Sequence, residues 1–116
     1  MSIRVTRPIS WITAARKAFD EFPADVRDAA LDALTVAADG ATATVSKPMK
    51  GLGAGVFEVA LRHRGNAFRL IYAVVPHEDV WIVHAFQKKS TQGIKTPKRE
   101  IELIRNRLAR LKEALR

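Results

Sequence analysis

Between Val56 and Lys89 apolar residues recur at every second position in three blocks separated by turn-forming residues, and this period of two constrains the fold more than any other feature. The block VFEVALR sends Phe57, Val59 and Leu61 to one side and Glu58, Ala60 and Arg62 to the other. HRGN supplies a tight turn in which Gly65-Asn66 are expected at positive φ. NAFRLIYAVV returns with Phe68, Leu70, Tyr72 and Val74 on one face and Arg69 on the other; PHED turns again, and VWIVHAFQKK forms a third strand. Three consecutive strands joined by short turns predict an antiparallel meander.

Helical periods flank this sheet. SIRVT alternates Ile3 and Val5 with polar neighbours, a short N-terminal strand closed by Pro8. Ser10 is then expected to cap a helix carrying Trp11, Ala15, Ala18, Phe19 and Phe22, which Pro23 breaks. Pro23 to Ala38 reads as a second helix, with Val26, Ala30, Leu34 and Ala37 on one side and Asp39-Gly40 as its stop. Ala41 to Gly55 has no apolar period and is expected to be a mobile loop. Its Gly51, Gly53 and Gly55 lack the preceding strand and following helix of a phosphate-binding loop. After the meander, Thr96 is expected to cap a last helix with Pro97 at its first position. Ile101, Ile104, Leu108, Leu111 and Leu115 give that helix one apolar stripe, to be laid on the body of the protein or, alternatively, against a partner helix.

This order implies a single α+β domain spanning residues 1–116. Its small antiparallel sheet, the N-terminal strand plus the three-stranded meander, carries two N-terminal helices and a C-terminal helix, with one face covered and the other open. A chain of 116 residues leaves no room for a second core, and its 47% hydrophobic content argues for a folded globule rather than disorder. The absence of cysteine excludes disulfides and thiolate metal sites and suits a reducing cytosol. No apolar run approaches the roughly 18 residues of a membrane span, and MSIRVTRPIS lacks the apolar stretch of a secretory signal, so a cytoplasmic protein with no membrane partner is expected.

Charge points to the partner. Lys and Arg number 20 against 12 Asp and Glu, a net charge of +8 that favours polyanions, of which nucleic acid is the commonest in a cytosol. On the open face Arg62 and Arg69 lie on neighbouring strands, where like charges repel unless an anion separates them. Glu58 is positioned to pair with either one as a plain salt bridge. Lys88 and Lys89 end the third strand, so alternation sends one of them to the open face in any register, and Gln87 is a further donor there. Lys47 and Lys50 from the loop and Lys95 near the last helix extend the basic surface along which a phosphodiester backbone would lie.

Metal-free RNA cleavage requires deprotonation of a ribose 2′-hydroxyl, stabilisation of the phosphorane charge and protonation of the leaving 5′-oxygen. Arginine suits the second task through two parallel donors to phosphate. Lysine serves the others when neighbouring cations depress its pKa, and His84 is the ordinary acid or base. His84 sits inside the apolar run WIVHAF, where a partly buried histidine bonded to backbone is the plainer reading; it shares a face with Lys88 at a spacing of four. His63 and His77 fall at turns. No histidine has a second histidine or carboxylate at metal-ligand spacing and no Ser-His-Asp or Cys-His set exists, so neither metal nor cofactor is expected.

The segments FEVALR, FRLIYAV, HAFQKKS and TPKREIELIRNR, spread over roughly Gly51 to Arg107, resemble the HigB-like, phage-related branch of the RelE/ParE toxin superfamily. The resemblance implies a compact α+β toxin of a type II toxin–antitoxin pair, a ribosome-dependent endoribonuclease that cuts mRNA, silenced by a cognate antitoxin that is usually a helix-turn-helix protein. It further implies that Arg62 and Arg69 hold the phosphate, that Lys88 and Lys89 stand at the catalytic edge, and that His84 matches the histidine of the family's strand. The chain departs from RelE-type enzymes in lacking a late tyrosine, since its sole tyrosine, Tyr72, is on the apolar face of its strand. Two other readings share the pattern: a ParE-like inhibitor of DNA gyrase without nuclease activity, and a module that binds nucleic acid without cutting it.

Overall fold

The computed structural model describes residues 6–74, 79–88 and 95–115. Its elements are β1 (Ile9–Trp11), α1 (Thr13–Asp20), α2 (Ala24–Ala38), β2 (Ser46–Pro48), β3 (Val56–His63), β4 (Asn66–Val74), β5 (Val80–Lys88) and α3 (Lys98–Ala114). They form one five-stranded sheet in the order β1-β5-β4-β3-β2, with the expected antiparallel meander β3-β4-β5 at its centre. The α+β class holds, and the departures from expectation lie at the edges.

The expected strand at Ile3 and Val5 falls outside the described residues. β1 instead uses Ile9, Ser10 and Trp11, which run parallel to Val80, Trp81 and Ile82 of β5. Backbone bonds from Val80 N to the Pro8 carbonyl (2.9 Å) and from Ile12 N to the Ile82 carbonyl (3.0 Å) fix this edge, so tertiary pairing overrides the capping signal at Ser10. α1 therefore begins two residues later than expected, behind an extended Ile12 with no side-chain cap. Trp11 still packs on Phe19, with ring centroids 4.8 Å apart. The expected loop at Ala41–Gly55 contains β2, whose Ser46, Lys47 and Pro48 pair with Val59, Glu58 and Phe57. Three residues including a proline show no alternation to read, and proline is tolerated there because β2 is an edge.

The first hairpin turns one residue earlier than expected. His63 pairs with Asn66, and Arg64 (φ 50°) and Gly65 (φ 80°) form the two-residue turn in which both central positions need positive φ.

Apolar side chains fill both faces of the sheet. On one, Val59, Leu61, Phe68, Leu70, Tyr72, Val80, Ile82 and Ala85 pack beneath Ala15, Phe19 and Phe22 and against Val26, Ala30 and Leu34 of α2. On the other, Val56, Ile71, Ala73 and Val83 meet Ile104, Leu108 and Leu111 of α3. The second face is thus not open as expected. The α3 stripe lies on the body of the protein and covers half of that face, since each fully buried aliphatic side chain contributes roughly 1.5–3 kcal/mol there. Leu115, at the end of the stripe, remains exposed.

One irregularity governs the rest. Tyr72 pairs with Ile82 and Ile71 with His84, leaving Val83 as the extra residue of a β-bulge. Ile82 and Ala85, three apart, consequently share the α1–α2 face, while His84, Phe86 and Lys88 turn to the face of α3.

Candidate functional site

Residues directly opposite across antiparallel strands share a face. The register therefore lays out three rows beside the start of α3: Glu58, Ile71 and His84; Ala60, Arg69 and Phe86; Arg62, Ala67 and Lys88. Arg69 stands at the centre, with Glu58, His84, Arg62 and Lys88 at the corners. Lys47, across from Glu58 on β2, extends the first row to the sheet edge.

Arg69, Lys88 and Glu58 are each more than nine-tenths buried, whereas Arg62 is exposed. The Arg69 Nε lies 3.8 Å from Glu58 Oε1, an ion pair too long for a hydrogen bond, and its Nη1 reaches the Phe68 carbonyl only at 3.4 Å. Arg69 Nε is one of the few buried polar atoms with no hydrogen-bond partner among the described residues. A guanidinium with donors left over beside other cations is prepared for an oxyanion. Lys88 is held below its ordinary 10.5, first by burial, then by Arg69, with Glu58 opposing and Arg62 adding. That shift increases the share of free amine able to take a proton near neutral pH.

Glu58 is held from its other side by the Thr96 hydroxyl, which donates to Oε2. Thr96 is therefore not the cap of α3; Pro97 occupies that position without a side-chain cap. His84 is buried, and its bonds run to side chains of α3 rather than to backbone. Arg107 Nη1 lies 2.9 Å from Nδ1 and also donates to the Val83 carbonyl at 3.0 Å, while Nε2 meets Glu100 Oε2. A guanidinium only donates, so Nδ1 accepts and the proton of the neutral ring sits on Nε2, directed at Glu100. Burial pushes the imidazole below its ordinary 6.5; Glu100 pulls it up and Arg107 pushes it further down. Phe86 stacks on the ring at 5.2 Å between centroids.

Of the residues singled out from sequence, Arg62, Arg69, His84 and Lys88 meet on one face, with Lys47 at its edge. Gln87 does not join them. It pairs with Phe68, on the α1–α2 side of the sheet. Lys50 is exposed in the turn after β2, and Lys95 is exposed before Thr96. Lys89 lies outside the described residues. Sequence reasoning missed Glu100, Arg107 and the role of Thr96. The available signal was the spacing of seven between Glu100 and Arg107, which sets them on one flank of the α3 stripe beside Ile104. Among the described residues no group of three His, Asp or Glu side chains could hold a metal ion, and no helix is long and apolar enough to cross a membrane.

This sheet, with two helices on one face and a third on the other, is the fold of RelE. Residues 17–109 match the family described as Phage derived protein Gp49-like (DUF891), and the chain belongs to that family. Isolated Escherichia coli RelE superposes with a TM-score of 0.57 at 18% identity over 86% of this chain and 97% of that one. A free E. coli RelE carrying two arginine-to-alanine changes gives 0.57 at 16% identity, over 69% of this chain and 81% of that one. The RelBE2 toxin–antitoxin complex of Mycobacterium tuberculosis gives 0.49 at 22% identity over 77% of this chain and 99% of that one. No curated protein matches the sequence.

Proposed function

We propose that the chain is the toxin of a type II toxin–antitoxin pair and acts as a metal-independent endoribonuclease on mRNA bound to the ribosome. The observation that carries this reading is the buried Arg69 guanidinium, incompletely hydrogen-bonded and flanked on one face by Lys88 and Arg62. In the reaction the ribose 2′-oxygen loses its proton and attacks the adjacent phosphorus. The P–O5′ bond breaks, the 5′-oxygen takes a proton, and a 2′,3′-cyclic phosphate remains. Arg69 holds the phosphoryl oxygens, where shielding from water strengthens the contact. Arg62 steers the backbone from the exposed rim, and Lys88, with its depressed pKa, exchanges the proton. Tyr72 has no part in this. It is 1% exposed on the opposite face, stacked on Phe57 at 5.1 Å. The cytoplasmic partners in this reading are mRNA, the ribosome and an antitoxin, expected to be a helix-turn-helix protein.

The test is induction of the protein in growing bacteria with primer extension on cellular mRNA. Cuts within codons of translated messages are expected, and Arg69→Ala with Lys88→Ala abolishes both cuts and growth arrest while the protein stays folded by circular dichroism. Arrest with intact mRNA and gyrase-linked DNA breaks would replace the nuclease by a ParE-like poison, and salt-sensitive RNA binding without arrest would leave a binding module.

A further inference from the structure

The fully buried apolar anchors of α3, Ile104, Leu108 and Leu111, begin only in its second turn; in the first, Ile101 packs half-buried against the same cluster. Its first turn has no fully buried residue: Lys98 and Arg99 are exposed, and Glu100 and Ile101 are half-buried. Pro97 at the N-cap contributes no side-chain bond. The other contacts that fix this turn are polar. Glu100 accepts from His84 Nε2, and Arg107, two turns on, satisfies Nδ1 and the carbonyl of the bulge residue Val83. Four residues before Glu100, Thr96 holds Glu58, whose other oxygen faces Arg69.

We propose that Glu100 and Arg107 are positioning residues that act through His84: they lock the first turn of α3 on the sheet so that Thr96 holds Glu58 beside Arg69. In this arrangement both imidazole nitrogens are occupied, so His84 is a fixed strut and exchanges no proton with RNA. The inference rests on the nuclease reading for its activity readout. The charged groups acting on His84 are Glu100 and Arg107 from α3, and Glu58, Arg69 and Lys88 stand elsewhere on the same face of the sheet.

The experiment measures single-turnover cleavage of mRNA on programmed ribosomes by wild type, Glu100→Ala, Glu100→Gln, Arg107→Met and His84→Gln, each checked for folding by its melting curve. Glu100→Ala and Arg107→Met are expected to lower the saturated rate roughly 10- to 100-fold with an unchanged half-saturating ribosome concentration, as for a displaced but intact site. Glu100→Gln, whose amide oxygen still accepts from Nε2, is expected to restore most of the rate, and the pH–rate limbs are expected to be those of the wild type in every variant. Wild-type rates in Glu100→Ala and Arg107→Met overturn the proposal. So does a pH limb present in wild type and missing in His84→Gln, which would make the imidazole itself the acid or base. If the wild-type protein cuts no RNA, the nuclease reading falls, and the lock is judged by the imidazole nitrogen spectrum: a neutral ring protonated on Nε2 at pH 7 supports it, and the Nδ1–H form or an imidazolium overturns it.

Discussion

Replacing Glu58 by Gln removes one negative charge and almost nothing else. The amide keeps the volume, and its oxygen still accepts from Thr96. What is lost is the anion that pairs with Arg69 among the described residues, at 3.8 Å from Nε, with both side chains more than nine-tenths buried. At that separation and an effective dielectric near 20, the direct attraction is about 4 kcal/mol. Removing one member of a buried pair leaves the other charge uncompensated, at a cost of about 3–5 kcal/mol. Lys88 adds to this because Glu58 also supports its charged form. The expected loss of about 3 kcal/mol corresponds to a fall in melting temperature on the order of 10 °C for a chain of this length. Urea unfolding followed by circular dichroism measures the loss, and the double change with Arg69→Met measures the coupling: once the guanidinium is gone, losing the carboxylate should cost far less. Inorganic phosphate should stabilise Glu58→Gln more than wild type, since an anion then fills the place of the carboxylate. A variant within about 0.5 kcal/mol of wild type, or strictly additive costs in the double variant, would show that the pair carries no coupling.

Three further outcomes follow from named groups. If Lys88 exchanges the proton, the cleavage rate climbs with pH through a value below 10.5, and Lys88→Arg loses that limb while keeping RNA affinity. His84 has a folded-state pKa below its ordinary 6.5, so below pH 6.5 the unfolded chain binds a proton that the folded one refuses, and stability falls as pH drops from there toward the folded value; His84→Gln should show a flatter stability curve just below pH 6.5. Gly55→Ala is expected to cost about 2 kcal/mol or more by urea unfolding, because φ is +80° and the new Cβ would meet the Val74 carbonyl oxygen at 2.8 Å; Gly40→Ala, with φ +90° and nothing within 4 Å, should cost less.

The central meander was legible because Phe57, Val59 and Leu61, and Phe68, Leu70 and Tyr72, recur at every second position with Glu58, Arg62 and Arg69 between or beside them, enough to fix both strands and the face of Arg62 and Arg69. α2 and α3 were legible for the same reason at the helical period. The short edges were not. β1 and β2 are three residues each, stabilised by backbone pairing with distant strands, and a residue such as Ser10 carries a capping signal that its own neighbourhood supports and the sheet overrules. Glu100 and Arg107 read as solvated charges of an amphipathic helix, because nothing local to α3 announces a histidine on another element. The second face read as open because Glu58, Ala60 and Arg62 look like a solvent side; Val56, Ile71 and Ala73, which α3 covers, form its other half.

The bulge at Val83 was silent in the sequence for a further reason. Trp81, Ile82 and Val83 are all apolar, so no contrast in polarity marks where the alternation slips. Polarity explains afterwards why it must slip. In an unbroken strand His84 and Phe86 would follow Val80 and Ile82 into the aliphatic core beneath α1 and α2, Lys88 would fall at its exposed end opposite Asn66, and Ala85 and Gln87 would face α3. His84 would then stand opposite the fully buried Leu70, where a polar ring without a hydrogen-bond partner costs roughly 1–3 kcal/mol. One extra residue moves Lys88 beside Arg69 and Glu58, and His84 between Glu100 and Arg107, while Ala85 takes the tight place under the helices. The same irregularity thus takes a polar ring out of the core and assembles the cationic site, so fold stability and site geometry select one register.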